Sequence, residues 1–226
     1  MTTQAMPAGP EWFGHPRGLF VCFATEMWER FSFYGMKYLL VLFLVQHHLF
    51  SDGEALRILG AYAALVYAMP LLGGIVSDRY LGQTKAVKLG GILLVLGHCA
   101  MAFEGIPATQ GIAGEVVRDD QAITVFYFAL ALIVVGVGLL KPNISTVVGR
   151  LYGENDQRRD GGFTIFYMGI NIGAASASLL CGWLASAYGW AYGFGAAGIG
   201  MLIGLIVFSL CQDWLEGHGD PADPAF

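Results

Sequence analysis

The sequence predicts an all-α membrane protein of six transmembrane helices. Three observations carry that expectation. First, 56% of the 226 residues are hydrophobic and 13% are charged, with a mean hydropathy of +0.59; soluble domains run near about 45–50% apolar and about 25% charged. Second, the apolar residues gather into six stretches, each near the roughly 20 residues a spanning helix needs. Third, the roughly ten-residue alternating segments of a transmembrane barrel are absent. Lipid offers backbone groups no partner, so the stretches are read as helices. The composition excludes a disordered chain, which needs low hydrophobicity and high charge. Lys+Arg 12 against Asp+Glu 17 gives a net charge of −5 and argues against a nucleic-acid partner.

Residues 1–18 start MTTQAMPAGPEW, polar and Pro-containing, with no basic segment before an apolar one. They read as a cytoplasmic N-terminal segment rather than a cleavable signal peptide. The bundle occupies 19–211, with spans expected at 19–45, 56–75, 87–103, 123–148, 163–188 and 191–210. The polar tail 212–226 contains Asp-Pro twice and is expected to be mobile and cytoplasmic. Arg79, Lys85 and Lys88 lie between spans two and three, and Arg150, Arg158 and Arg159 between spans four and five. Loops of the other parity hold Arg57 and Arg118 beside Asp52, Glu115, Asp119 and Asp120. The positive-inside rule puts the first set, and with it both termini, in the cytoplasm. Arg17 agrees with that placement. The expected location is the cytoplasmic (inner) membrane, multi-pass, with the lipid bilayer as a partner.

Gly, 32 of 226 residues, is about twice its usual share of roughly 7%. Gly73-Gly74, Gly90-Gly91, Gly136, Gly138, Gly169 and Gly173 are read as close-packing positions, which can coexist with hinges. Cys22, Cys99, Cys181 and Cys211 lie far apart in apolar runs and read as small buried hydrophobes; no metal is expected.

The informative residues are the ionisable ones inside the spans, where a charge costs roughly 2.5–3.5 kcal/mol on insertion scales. In span one, Glu26, Glu29, Arg30, Phe33, Tyr34 and Lys37 are spaced i, i+3, i+4, i+7, i+8, i+11 and fall on one helical face. Such a stripe faces a cavity or partner helices, either as a proton or substrate site or as a structural ion cluster. Glu26 and Arg30, four apart, are expected to neutralise each other partly. In span four, Lys141 precedes Pro142, which breaks the hydrogen-bond ladder and frees a carbonyl. Lys141 reads as a cavity cation or as a counter-ion to Glu26 or Glu29. Tyr62 and Tyr67 either line that cavity or pack. Asn171 is a candidate for bonding across helices, and His98 for a satisfied packing residue. Glu104 is placed at the interface, and His47 and His48 in a solvated outer loop. In the loop 73–87, Asp78 and Arg79 precede Gly82; the segment is either topogenic or a switch in which Asp78 pairs with a partner beside a tight turn.

Four blocks together resemble the proton-dependent oligopeptide transporter family of the major facilitator superfamily. Residues 26–35, EMWERFSFYG, resemble its ExxERFxYYG block, and 74–82 the superfamily's loop between helices two and three. Residues 136–143, GVGLLKPN, resemble GxGxxKPN, and 163–173 resemble FxxFYxxINxG. Order and spacing agree over nearly the whole chain. Phe33 stands where the family often has a second Tyr, Ala175 where a larger apolar residue is usual, and Ser77 where Ala is common.

The resemblance implies a fold like one six-helix half, the amino-terminal one, of a transporter with two. It implies proton-coupling roles for Glu26, Glu29, Arg30 and Lys141. It implies substrate-cavity positions for Arg30, Tyr34, Lys37, Tyr67, Lys141 and Asn171, and a conformational-switch loop at Asp78 and Arg79. The implied activity is proton-coupled symport of di- and tripeptides, with protons as the coupling ion, no cofactor, and a second six-helix half as partner. The alternatives are another small solute, such as amino acids or nitrate, and a non-transporting six-helix truncated product or assembly partner. An enzyme is not expected, since neither HExxH nor GxSxG occurs.

Overall fold

The computed structural model describes residues 10–153 and 155–220. Six helices form one bundle: α1 (Arg17–Gln46), α2 (Asp52–Val76), α3 (Gln83–Met101), α4 (Asp120–Arg150), α5 (Arg159–Tyr188) and α6 (Trp190–Leu210). By length and composition, five of them are apolar enough to cross a membrane. The exception, α1, is 30 residues long but carries Glu26, Glu29, Arg30 and Lys37 within its apolar run. The helices start and stop where local chemistry directs. A capping box of Ser51 and Glu54 opens α2, and the Asp119 carboxylate caps α4 at the Ala122 N–H. Between α5 and α6 stands Gly189 alone, at φ +111°, a conformation side chains rarely adopt.

The bundle packs as two groups. α1 lies against α5 and α6, and α4 lies against α2 and α3; the α3–α6 contact joins them. Small residues set the closest approaches. A Cβ at Gly73 on α2 would collide with the Gly138 carbonyl of α4, and one at Gly173 on α5 with the Met27 carbonyl of α1. Pro142 has no N–H to offer the Gly138 carbonyl, so α2 meets α4 where the ladder of α4 is interrupted. Phe43 is the aromatic hub at one end of the core, with the rings of His47, His48, Phe126, Trp190 and Phe194 between 4.7 and 6.2 Å away.

That end departs from the expectation of a solvated loop. His47 and His48 are buried, His47 sharing a hydrogen bond with the Glu104 carbonyl at 2.9 Å. Arg118 covers them, donating to the His48 and Leu49 carbonyls while lying over the Phe50 ring. Burial, followed by the charge of His47, holds the His48 imidazole down to about 4. The Glu104 carboxylate accepts the Ala191 N–H at the start of α6. The segment between α3 and α4 adds a hairpin, β3 (Thr109–Gln110) with β4 (Val116–Val117), too short to register as alternation in the sequence.

The opposite end gathers the basic loops. A turn of π-helix (Ser77–Leu81) follows α2 and closes with the Gly82 N–H on the Ser77 carbonyl. The tail expected to be mobile is instead folded over residues 212–220. Gln212–Leu215 form a 3-10 turn, Leu215 is buried, and the Gly219 carbonyl accepts the Thr84 N–H. Apolar contact with the bundle outweighs the polar composition of this stretch. The final Asp-Pro pair lies outside the described residues, as does the start of the 1–18 segment. A second hairpin, β1 (Glu11–Trp12) with β2 (His15–Pro16), immediately precedes α1.

Two packing expectations need amendment. His98 is fully buried, but neither ring nitrogen has a partner among the described residues. Cys22 and Cys181 are buried as expected, whereas Cys99 is exposed.

Candidate functional site

The site is built on the middle of α1. Glu26, Glu29 and Arg30 are each under 5% exposed. Arg30 grips Glu29 with two N–H groups, Nε on one carboxylate oxygen and Nη2 on the other. Its Nε also lies 3.4 Å from Glu26. The i, i+4 rule therefore captured the weaker contact. The stronger one joins neighbours in sequence, because the long guanidinium arm folds back to present both donors to one carboxylate. One oxygen of Glu26 is buried with no partner among the described residues.

Phe33 organises what surrounds this group. The Arg30 guanidinium lies 4.8 Å from its ring centroid and the Lys37 ammonium 5.9 Å. The Tyr62 ring of α2 stacks on Phe33 at 6.3 Å, with its hydroxyl buried and unpartnered among the described residues. Tyr34 packs edge-on against Phe33 and faces Lys37 at 6.0 Å. The Phe33 ring thus meets both cations by its face.

Lys141 sits half-buried on α4, within electrostatic reach of Glu26 but forming no ion pair with it or Glu29. Its ammonium lies 5.8 Å from the ring of Tyr67, a residue of α2 that is 70% exposed. The Lys141 counter-ion reading is thereby not met at contact distance. Asn171 is exposed on α5 and donates to the Tyr167 carbonyl of its own helix, so it does not bridge helices here. Tyr34, Lys37 and Lys141 therefore border the buried group, whereas Asn171 stands apart from it.

The loop residues Asp78 and Arg79 divide. Asp78 accepts from Gln83 at 3.0 Å, and Gln83 in turn accepts from Arg150 at 2.8 Å. This chain ties the end of α2 to the start of α3 and the end of α4. Arg79 is exposed and has no hydrogen bond or ion pair among the described residues. A contact the sequence reading missed lies beside them. Ser77 donates to Asn143, the residue after Pro142, joining the switch loop to the broken stretch of α4. The departure at Ser77 and the Asn of the KPN block were both visible in the sequence, but nothing there paired them across 66 residues.

The comparisons agree with this architecture. The sequence profile of the POT family matches residues 84–225, more than half of the chain. YclF, an uncharacterized transporter of Bacillus subtilis (strain 168), is 47% identical over 205 residues, covering 88% of this chain and 38% of that protein. The peptide transporter YePEPT of Yersinia enterocolitica is 43% identical over 213 residues, covering 92% of this chain and 39% of that protein. Among solved structures, a peptide transporter POT in complex with sulfate superposes with a TM-score of 0.84 at 40% identity, over 97% of this chain and 43% of that one. A POT family transporter in complex with 5-aminolevulinic acid gives 0.80 at 33% identity, over 100% and 45%. The chain spans about two fifths of the length of these relatives. They are transporters, not enzymes. With four motif blocks, the profile and six helices in agreement, the chain belongs to the POT family.

Proposed function

We propose that this chain supplies the N-terminal six-helix half of a proton-coupled symporter of di- and tripeptides, in a bacterial-type cytoplasmic membrane with both termini inside. The observation that carries the reading is the buried Glu26–Glu29–Arg30 group, with one carboxylate oxygen unpartnered and a second cation, Lys141, nearby. Names of relatives supply the substrate class: a peptide transporter in Yersinia and a dipeptide and tripeptide permease in Klebsiella pneumoniae.

The chemistry follows from competition for the guanidinium. Arg30 held by Glu29 is not available to a substrate. A proton taken by the Glu26/Glu29 pair weakens that hold and frees donor capacity on Arg30. A peptide carboxylate then docks on Arg30 and Lys141, with Tyr34, Lys37, Tyr67 and Asn171 bordering the cavity. Proton and substrate favour the same state, so their binding is coupled. A second six-helix half closes the cavity, and the two halves rock about the midplane site. The Asp78 link to Gln83 and Arg150 is the contact that breaks and reforms, with Arg79 beside it. No metal or organic cofactor enters the scheme.

The test is uptake of labelled dialanine into vesicles with the full-length protein. Glu26→Gln and Glu29→Gln are expected to abolish gradient-driven uptake and to leave counterflow less affected. Full uptake by both variants removes the coupling role. Lys141→Ala is expected to lose substrate binding, and unchanged affinity removes it from the site. A second reading, another small zwitterionic solute, draws on the relative solved with 5-aminolevulinic acid and on Phe33 replacing a hydroxyl. Competition by that acid but not by dialanine would favour it.

A further inference from the structure

The hairpin ahead of α1 has two unlike sides. Its turn is Phe13-Gly14, between the paired residues Trp12 and His15, with φ of +50° and +78°. Two positive φ values mark a type I′ turn, whose first position favours Asn, Asp or Gly. A bulky aromatic residue there is strained. Phe13 recovers little within the chain, since it is 92% exposed. The hairpin is nevertheless held firmly from behind. Arg158 donates to the Glu11 carboxylate at 2.6 Å and to the Gly14 carbonyl at 3.0 Å. His15 shares a 2.8 Å hydrogen bond with the Tyr152 hydroxyl.

The front is aromatic and cationic. Trp12 packs edge-on to Trp214 at 4.9 Å and against Phe20 at 5.9 Å, and Phe13 lies 6.0 Å from Phe20. The Arg17 guanidinium lies 5.3 and 5.8 Å from the Trp12 and Trp214 rings. Arg17 has no acidic partner among the described residues, and its buried Nε donates to nothing there. Among the described residues this cation has no anion, and it is the first residue of α1, at the end of the bundle that carries the basic loops. A hairpin joined directly to a spanning helix stands at the depth of the headgroups, where amphipathic rings concentrate and arginine meets phosphate.

We propose that Trp12, Phe13 and Arg17 form an interfacial phospholipid site, with Phe13 in the upper acyl region and Arg17 on the phosphate of an anionic headgroup. The strained turn aims the Phe13 ring outward, and lipid provides the burial that the chain does not. The site depends on the membrane-spanning fold and is independent of the peptide reading.

Two measurements on the protein at the length its cells make, in nanodiscs, test this. Phe13→Trp puts a fluorophore at the tip, read as the difference from the unsubstituted protein. Its emission is expected to be blue-shifted, and quenched more by lipid brominated in the upper acyl chain than by lipid brominated near the chain end. A blue shift with no quenching by either lipid would mean that protein covers the tip, and a water-like emission that nothing does; either overturns the proposal. Arg17→Gln is expected to lower retention of phosphatidylglycerol over phosphatidylcholine about fivefold by native mass spectrometry, the effect of roughly one interfacial cation. Arg17→Lys, which keeps the charge, retains the preference. If Gln and Lys variants retain both lipids alike, the Arg17 assignment fails. Inorganic phosphate that displaces the lipid would reassign Arg17 to a free-anion site and overturn the lipid reading.

Discussion

At the scale of single residues, the two carboxylates of α1 are not equivalent. Glu29 accepts from both Nε and Nη2 of Arg30, while Glu26 lies 3.4 Å from Nε as an ion pair without a hydrogen bond. Removing one partner of a buried pair leaves a buried charge uncompensated, at about 3–5 kcal/mol. Glu29→Gln is therefore expected to lower stability by about 3 kcal/mol, and Glu26→Gln, which gives up only the longer ion contact, by about 1 kcal/mol or less. Thermal unfolding of the two variants at one lipid composition checks the order; equal losses contradict it. His48 yields a pH prediction. Its folded pKa of about 4 lies below the ordinary 6.5, so the unfolded chain binds the extra proton between those values. Stability from this group is complete above pH 6.5 and is lost as pH falls toward 4. Part of that stability is already gone at pH 5, and His48→Phe is expected to flatten the slope in pH-dependent melting. That the charges of α1 are buried was legible in the sequence, because their spacing put them on one helical face. Which carboxylate takes the fork was not, because it depends on side-chain torsions. The burial of the histidines was not either, because Arg118, far along the chain, covers them.

Among elements, the glycines decide how closely helices approach. Gly73 and Gly74 look alike in the sequence. A Cβ at Gly73 meets the backbone of α4, whereas one at Gly74 meets nothing within 4 Å. Gly73→Ala is expected to cost about 1–3 kcal/mol through forced separation of α2 and α4. Gly74→Ala is expected to be neutral or to stabilise by a few tenths up to about 1 kcal/mol, since Ala is the better helix former. Denaturant titration in mixed micelles separates them, and equal effects would contradict the packing of α2 on α4. The six spans were readable because each carries its own apolar run, with ends displaced by a few residues where caps rather than hydropathy set them. The hairpins were not, since two-residue strands exist only through their pairing and through contacts such as that of Arg158 with Glu11.

For the whole molecule, the partition of exposure carries the prediction. α2 and α5 leave large apolar side chains outward, among them Leu65, Leu71 and Leu72 on one and Ile172, Leu179 and Trp183 on the other. In the proposed transporter these faces meet the second half. Single cysteines placed by Leu71→Cys and Leu179→Cys in a cysteine-free background are expected to react with a maleimide when the chain is alone, and to be protected when the second half is co-expressed. Labelling unchanged by the second half would remove α2 and α5 from that interface. The basic end is assembled from distant segments: Tyr152 and Arg158 hold the N-terminal hairpin, and Trp12 and Trp214 flank Arg17.

What the sequence determined by itself was class and membership. Hydropathy, the interrupted charge of α1 and four spaced motif blocks are local quantities, and local quantities survive without a fold. The tertiary structure alone decided that Glu29 holds Arg30, that Lys141 makes no ion pair with Glu26 or Glu29, that Ser77 binds Asn143, and that the tail is folded onto the bundle. Each of these joins groups whose meeting depends on helix packing and rotamer choice, and no periodicity along the chain encodes a distance between helices.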